Sequence, residues 1–218
     1  MRPLSMLEAR VLGVLVEKSL TVPDSYPLSH NSLTLGCNQK TARDPVIAAS
    51  EGDVQVAVDA LKALSLAFES SGSRVARYEH NLGRALGIPS QSVALLATLV
   101  LRGPQTPAEL RTAAERLHRF ADVSAVEGFL DELAARPAEK GGALVVKLPR
   151  APGMREQRWA HLLCGPVAAE ALDPGAQAAS SSGLEARVAT LEQEIAGLRS
   201  AVRNIYEQLG MSQPGQTE

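Results

Sequence analysis

A four-residue pattern that occurs twice places the strongest constraint on the fold of this chain. The pattern is Arg-aromatic-x-His, and it reads RYEH at 77–80 and RWAH at 158–161. Each copy ends a predicted β-hairpin that follows three predicted helices. The repeat therefore includes the order of the secondary-structure elements as well as the four-residue motif. Because motif and order repeat together, they indicate an internal duplication. We therefore expect two similar small units in tandem.

Helix-start signals support the first unit. Ser5 and Glu8 have the spacing of a capping box, in which each side chain satisfies an unpaired backbone amide of the first helical turn. A short second helix is predicted over about 29–37, and a third helix is predicted from Ser50. Two strand-like runs within 66–80 predict the hairpin that completes the unit.

The second unit shows the same signals in the same order. A predicted helix contains Val93 and ends before a Gly-Pro step, and Thr106 and Glu109 then form a second capping box. A third helix is predicted over about 124–135 and a hairpin within 143–163. A helix-turn-helix followed by a hairpin is the outline of a winged helix.

The composition agrees with a mainly α fold with small β-hairpin wings. Hydrophobic residues make up 45% of the chain but aromatic residues only 3%, so the core is built from Leu, Val and Ala, which favours helices. We predict two tandem winged-helix domains plus a C-terminal coiled-coil helix. The predicted boundaries are winged-helix domain 1 at 1–86, winged-helix domain 2 at 87–164, a flexible linker at 165–183, the coiled-coil helix at 184–210 and a disordered tail at 211–218.

The C-terminal segment has an unbroken heptad seam. Branched residues at its a positions with Leu at most d positions favour a parallel two-stranded coil. The alternative is an amphipathic helix that folds back onto its own domain, but such a helix needs a wider apolar stripe. We therefore predict a homodimer. Its interface residues are Leu184, Val188, Leu191, Ile195, Leu198, Val202, Ile205 and Leu209.

The residues that carry chemistry form no recognisable catalytic, cofactor-binding or metal-binding motif. The four histidines and two cysteines lack ligand spacing, and no Gly-rich phosphate loop follows a predicted strand. Cys37 lies on a short helix between Leu33, Leu35 and a polar end and is interpreted as a packed residue. His80 and His161 are interpreted as structural residues of the hairpins. We predict that the protein is not an enzyme and needs no cofactor.

The chain also lacks a membrane-spanning pattern. Its longest nearly apolar run, 93–101, is far shorter than the roughly 20 residues that cross a bilayer. The N-terminus does not have the pattern of a signal peptide, and Cys37 and Cys164 suggest no disulfide framework. We expect a cytoplasmic protein.

The distribution of charge bears on nucleic-acid binding. The third helices carry mainly carboxylates, which phosphates would repel, whereas the basic residues lie in the wings and in the joint between the second and third helices. These residues are candidate nucleic-acid contacts, with solubility of exposed hairpins as an equally weighted alternative. They are Lys40, Arg43, Arg74, Arg77, Lys147, Arg150, Arg155 and Arg158.

Several long strings resemble the YceH family of bacterial proteins. They are LEARVLGVLVEK (7–18), TVPDSYPLSHNSLTLGCNQKTARDPV (21–46), SGSRVARYEH (71–80), LRGPQTPAELRTAAERLHRFADV (101–123) and REQRWAHLL (155–163). The resemblance extends over 4–163 and implies a tandem winged-helix fold, but no mechanism, because the family has no established biochemical function. TLGC at 34–37 departs from the family in being less polar, which weighs against a functional role for that segment.

The joint between the second and third helices is unusually long. It has roughly twelve residues against the three or four of an ordinary helix-turn-helix, and Pro45 forces extended backbone at Asp44. This joint is the best local candidate for a partner site. Two functional classes follow. One is a DNA-binding regulator that uses its wings, which we put first, and the other is an adaptor that binds an unidentified protein partner without DNA.

Overall fold

Seven α-helices and five short strands make up the part of the chain that the computed structural model describes, residues 2–70, 75–150, 153–154 and 156–167. The helices are α1 (Met6–Thr21), α2 (His30–Cys37), α3 (Glu51–Ala63), α4 (Leu82–Leu86), α5 (Ser90–Arg102), α6 (Pro107–Ala113) and α7 (Val123–Ala134). The strands are β1 (Leu28–Ser29), β2 (Ala67–Ser70), β3 (Arg77–His80), β4 (Val145–Lys147) and β5 (Trp159–His161). The predicted coiled coil and tail lie outside the described residues, as do Arg74 and Arg155.

Capping boxes begin three of the helices. Ser5 caps α1 and Thr106 caps α6, each with a glutamate at the third helical position that returns the hydrogen bond, as the sequence predicted. Ser50 caps α3 in the same way, with Asp53 as its partner. Each cap satisfies backbone amides that the helix leaves unpaired, an effect that is typically about 1 kcal/mol.

Both sheets are small and antiparallel. The first has the strand order β1-β3-β2, and the second pairs β4 with β5. In the first sheet Tyr78 lies opposite Leu28 on one side and Glu69 on the other. The predicted mainly helical fold with small antiparallel hairpins is therefore confirmed. The sequence did not predict β1 or the short helix α4.

The core is built around the contact between α1 and α5. Both helices are buried over most of their length, and residues 1–167 form one compact unit with a continuous apolar cluster. At Gly13 of α1, an added Cβ would lie 3.0 Å from Val100 Cγ1 and 3.1 Å from Leu101 Cδ2 of α5. The first repeat (α1–α3 with β1–β3) and the second repeat (α5–α7 with β4–β5) thus share a core, and the predicted boundary at 86/87 falls between α4 and α5.

Candidate functional site

The long joint, residues 38–50, is held by internal hydrogen bonds. The Asn38 side-chain amide donates to the Ala49 carbonyl oxygen at 2.9 Å, and its oxygen accepts from the Ala49 amide at 2.8 Å. These two hydrogen bonds connect the two ends of the joint, as hydrogen bonds connect paired strands. The joint is therefore a loop with hydrogen bonds of its own between its two ends.

Arg43 lies inside the protein. Its side chain is completely buried, and two of its nitrogens contact the Glu17 carboxylate at 2.6 and 3.1 Å. Its remaining bonds go to the carbonyl oxygens of Gly36 and Ala42. Burial raises the pKa of Glu17, but the hydrogen bonds and charge of Arg43 outweigh it and leave this pKa below its ordinary value. Arg43 has no group left for a phosphate, so we do not retain it among the nucleic-acid contacts.

A second buried arginine, Arg10, supports the joint from α1. It donates to the carbonyl oxygens of Cys37 at 3.2 Å and Pro45 at 2.6 Å. Burial and the charge of Arg43 lower the pKa of Arg10, whereas the charge of Asp44 raises it. Sequence reasoning missed Arg10. It lies three residues after Leu7, which places it beside the apolar stripe of α1.

Cys37 is a packed residue, as predicted. Its side chain is fully buried, and burial raises the pKa of its thiol to about 12. A thiol in this environment is protonated at neutral pH and is therefore a poor nucleophile.

The two Arg-aromatic-x-His motifs have equivalent contacts. Arg77 donates to the carbonyl oxygen of Pro27 at 2.8 Å, and Arg158 donates to that of Pro104 at 2.7 Å. Each proline lies two residues before the N-cap of the second helix of its repeat. The two motifs thus make matching hydrogen bonds, and each arginine holds its hairpin against the segment that leads into the second helix of its repeat.

The aromatic residues of the motifs are also equivalent. Tyr78 is buried and pairs with Leu28, while Trp159 is buried and forms an isolated bridge with Gln105. Leu28 and Gln105 both lie directly before an N-cap residue. In the first repeat this pairing includes two residues and forms β1, so its sheet has three strands, whereas in the second it is a single bridge.

The two histidines are mostly buried, as expected of structural residues. The Nε2 atom of His80 lies 3.2 Å from Ser19 Oγ, and the Nδ1 atoms of His80 and His161 have no hydrogen-bond partner among the described residues. Burial lowers the pKa of both imidazoles, that of His161 to about 4. Both rings are therefore neutral at pH 7.

Three of the predicted nucleic-acid contacts remain exposed to solvent. Lys40 lies in the joint, while Lys147 and Arg150 lie in the second wing. The ammonium of Lys147 lies 5.5 Å from the centre of the Trp159 ring, a cation–π distance. Arg77 and Arg158 are partly exposed.

The outward face of α3 is apolar and acidic. Val56 is 71% exposed and lies between the exposed carboxylates Asp53 and Asp59 along the helix. Lys62 is the basic residue of this helix, and its ammonium is paired with Asp59 at 3.5 Å and with Glu69 at 2.7 Å.

The outward face of α7 is more acidic still. Glu127, Asp131 and Glu132 are exposed, and residues 123–134 contain no lysine or arginine. The third helices of both repeats therefore present negative charge, as the sequence indicated.

An open groove of about 980 Å³ lies between the joint and the second repeat. The Asp44 amide donates to the Leu101 carbonyl oxygen at 2.8 Å, which holds the joint against the end of α5. Gly103 permits this approach, because its φ of 73° suits glycine and an added Cβ would lie 3.2 Å from Asp44 Oδ2. The polar residues of the groove include Asp44, Arg102, Gln105, Glu109, Glu115 and Arg116.

The described residues hold no group of three or more His, Cys, Asp or Glu side chains placed to bind a metal ion. Among the helices of residues 2–167 that the structure describes, none has the length and apolar character to cross a membrane.

Comparison with known proteins identifies relatives along the whole chain. A family model described as "Protein of unknown function, DUF480" matches residues 4–154. A "UPF0502 protein" of Delftia acidovorans is 54% identical over 217 residues, covering 99% of this chain and 96% of the relative. Another of Verminephrobacter eiseniae is 57% identical over 222 residues, covering 98% and 92%. A third, of Leptothrix cholodnii, is 58% identical over 220 residues and covers 97% of each chain.

Proposed function

This chain belongs to the DUF480 family of proteins of unknown function, as its resemblance to the YceH family predicted, and we propose that it is a non-enzymatic, tandem winged-helix adaptor that binds another protein. We place it in the cytoplasm as a homodimer joined by a parallel coiled coil over 184–210. The order of its elements supports the winged-helix assignment. Each repeat has three helices, a backbone bridge before the second helix and a closing hairpin.

The observation that carries this proposal is the exposed face of α3. In a DNA-binding helix-turn-helix, this helix enters the major groove and its side chains meet base edges and phosphates. Here Val56 is 71% exposed and is flanked by Asp53 and Asp59. Carboxylates at this position repel phosphates, whereas an exposed apolar residue with a charged rim is typical of a protein interface. The complementary partner is a basic protein surface with an apolar pocket.

The contacts of the arginines also favour the adaptor over the DNA-binding regulator. Arg43 is buried against Glu17, and Arg77 and Arg158 donate to backbone carbonyl oxygens. Three of the predicted phosphate contacts therefore have internal roles. For this reason we reverse the order of the two sequence-based functional predictions and put the adaptor before the DNA-binding regulator.

Anisotropy measurements with mixed-sequence duplex DNA at about 50 and 200 mM salt test the absence of DNA binding. We expect no change in anisotropy up to protein concentrations of about 10 µM, since non-specific DNA binders reach micromolar affinity under such conditions. Micromolar binding that weakens steeply with salt would overturn the proposal.

Quantitative affinity capture from bacterial lysate tests the face of α3. Val56→Glu introduces a charge at the proposed apolar contact, and we expect it to release the proteins that the unmodified chain retains. Leu35→Glu is the matched control, because Leu35 is 66% exposed on α2. Equal retention by the unmodified chain and by Val56→Glu would exclude α3 as the contact surface.

DNA binding through the wings is the second candidate function, and the exposure of Lys147 and Arg150 favours it. If the wings contact phosphates, Arg150→Glu combined with Arg155→Glu should weaken DNA binding at every sequence, since such contacts are independent of sequence. DNA binding that survives in this double variant would exclude the second wing as its source.

A further inference from the structure

The carboxylates of the groove beside the joint have internal partners. Glu109 accepts from Arg158 Nη2 at 2.9 Å and from the Thr106 amide at 2.9 Å. Glu115 pairs with Arg119 at 3.9 Å. The charge of Glu109 is therefore offset by Arg158, whereas Glu115 is exposed and only loosely paired with Arg119.

The third carboxylate, Asp44, lies in the field of a buried cation. Arg10 is buried, and its hydrogen bonds go to the carbonyl oxygens of Cys37 and Pro45. The charge of Asp44 favours the protonated form of this guanidinium. Asp44 thus offsets a charge that the protein has already placed inside the joint.

Two cations of the groove are not offset in this way. Arg102 at the end of α5 and Arg116 after α6 are both exposed, and neither forms a hydrogen bond or ion pair with any residue in the described part of the chain. Both line the groove. It therefore presents two guanidinium groups whose donors face solvent.

Small residues in the lining of the groove leave room for the main chain of a ligand. Along the exposed side of α6 the groove is lined by the small residues Ala108, Thr112 and Ala113. Its walls are fixed by the bond from Asp44 to the end of α5 and by the bond from Arg158 to Pro104. A fixed groove loses little conformational entropy when it binds a ligand, and its volume of about 980 Å³ is at the upper end of ligand sites.

We propose that this groove binds an acidic peptide segment of a partner protein, with Arg102 and Arg116 as the groups that hold its carboxylates. A guanidinium binds a carboxylate through two parallel hydrogen bonds, which gives orientation as well as affinity. This inference rests on the proposed adaptor function and adds a second surface to it. The groove takes an acidic segment, whereas the face of α3 takes a basic partner.

The test is a titration of the full-length protein into a fluorescein-labelled peptide of alternating Glu and Ser residues. A Gln-Ser peptide of the same length is the neutral probe. We expect saturable binding of the Glu-Ser peptide only. Arg102→Gln combined with Arg116→Gln should weaken it at least about tenfold, since two charge-assisted contacts are lost. Arg84→Gln combined with Lys140→Gln is the matched control, because both residues are exposed outside the groove and the change in net charge is the same. We expect the control to bind within about twofold of the unmodified protein.

Each other outcome would overturn the inference. No binding of the Glu-Ser peptide excludes an acidic ligand, and equal losses in both double variants indicate attraction by net charge alone. Duplex DNA binding that the groove variant abolishes and the control retains would assign the groove to nucleic acid, and it would overturn the proposed function as well. If the protein ignores DNA but its peptide binding is unaffected by the groove variant, only the groove inference fails.

Discussion

Arg43 contributes to stability as one half of a buried ion pair. Replacing it with alanine removes the buried partner of the largely enclosed Glu17 and leaves only the more exposed Lys18 at 3.1 Å, so we expect Arg43→Ala to lower the free energy of unfolding by about 3 kcal/mol. Urea denaturation at pH 7 measures this loss. Lys40→Ala is the control, because Lys40 is exposed in the same joint and its loss should change stability by less than about 0.5 kcal/mol. Equal stability of the two variants would contradict the structural role of Arg43.

His161 makes the stability of the protein sensitive to acid. Burial lowers the pKa of this imidazole to about 4, whereas in the unfolded chain it titrates near 6.5. The unfolded state therefore binds a proton first, so the contribution of His161 is fully present above pH 6.5 and is lost as the pH falls toward 4. We expect His161→Gln to reduce the loss of unfolding free energy between pH 7 and pH 5 by about 2 kcal/mol in urea titrations. If His161→Gln loses as much unfolding free energy between pH 7 and pH 5 as the unmodified protein does, the prediction is refuted.

For individual residues, the sequence predicted which side chains are packed in the interior better than it predicted which charged side chains are buried. Cys37 and the two motif histidines could be recognised because each lies in a recurring or apolar context. Arg43 could not, because a buried arginine and an exposed one look the same in a polar loop. Its burial depends on Glu17, which lies 26 positions earlier on another element.

The crossing of α1 and α5 depends on the absence of a side chain at Gly13. A valine there would overlap Val100 and Leu101, so we expect Gly13→Val to lower the free energy of unfolding by about 1–3 kcal/mol. Gly128→Val is the matched control, since a Cβ added at this position of α7 meets nothing within 4 Å. Thermal and urea unfolding of both variants would show the difference. A Gly13→Val protein as stable as the Gly128→Val protein would mean that the helices can separate without loss.

Among the elements, those with a capping signal or regular apolar spacing were predicted and those without were missed. The starts of α1, α3 and α6 follow from their capping boxes. Strand β1 has two residues, too few for an alternating pattern to be visible, and it exists because Tyr78 of β3 pairs with it. Such an element is determined by its tertiary partner rather than by its own sequence.

For the whole molecule, we predict that dimerisation resides in the C-terminal segment. Truncation after Ser182 removes all eight apolar residues of the heptad seam, so we expect a folded monomer, whereas the full chain should be a dimer. Multi-angle light scattering measures both masses, and circular dichroism verifies that the truncated protein is folded. A dimer that survives the truncation would place the interface within residues 1–182.

The groove is also a property of the whole molecule, because its lining residues come from separate segments of the sequence. Asp44 comes from the joint of the first repeat, while Arg102 and Arg116 come from the second. The sequence indicated the joint as a partner site through its length and polarity. It could not reveal the opposite wall, since the pairing of Asp44 with the end of α5 depends on how the two repeats pack.

The shared core has a consequence for modularity. Duplicated domains are often exchangeable, because each copy keeps its own interior and joins its neighbour through a linker. Here the first helix of each copy is buried against the first helix of the other, and an added Cβ at Gly13 would press on Val100 and Leu101. A gene fragment encoding either copy alone would expose an apolar helix to water. We therefore expect that neither repeat folds when it is expressed alone or fused to another protein without this helix pair.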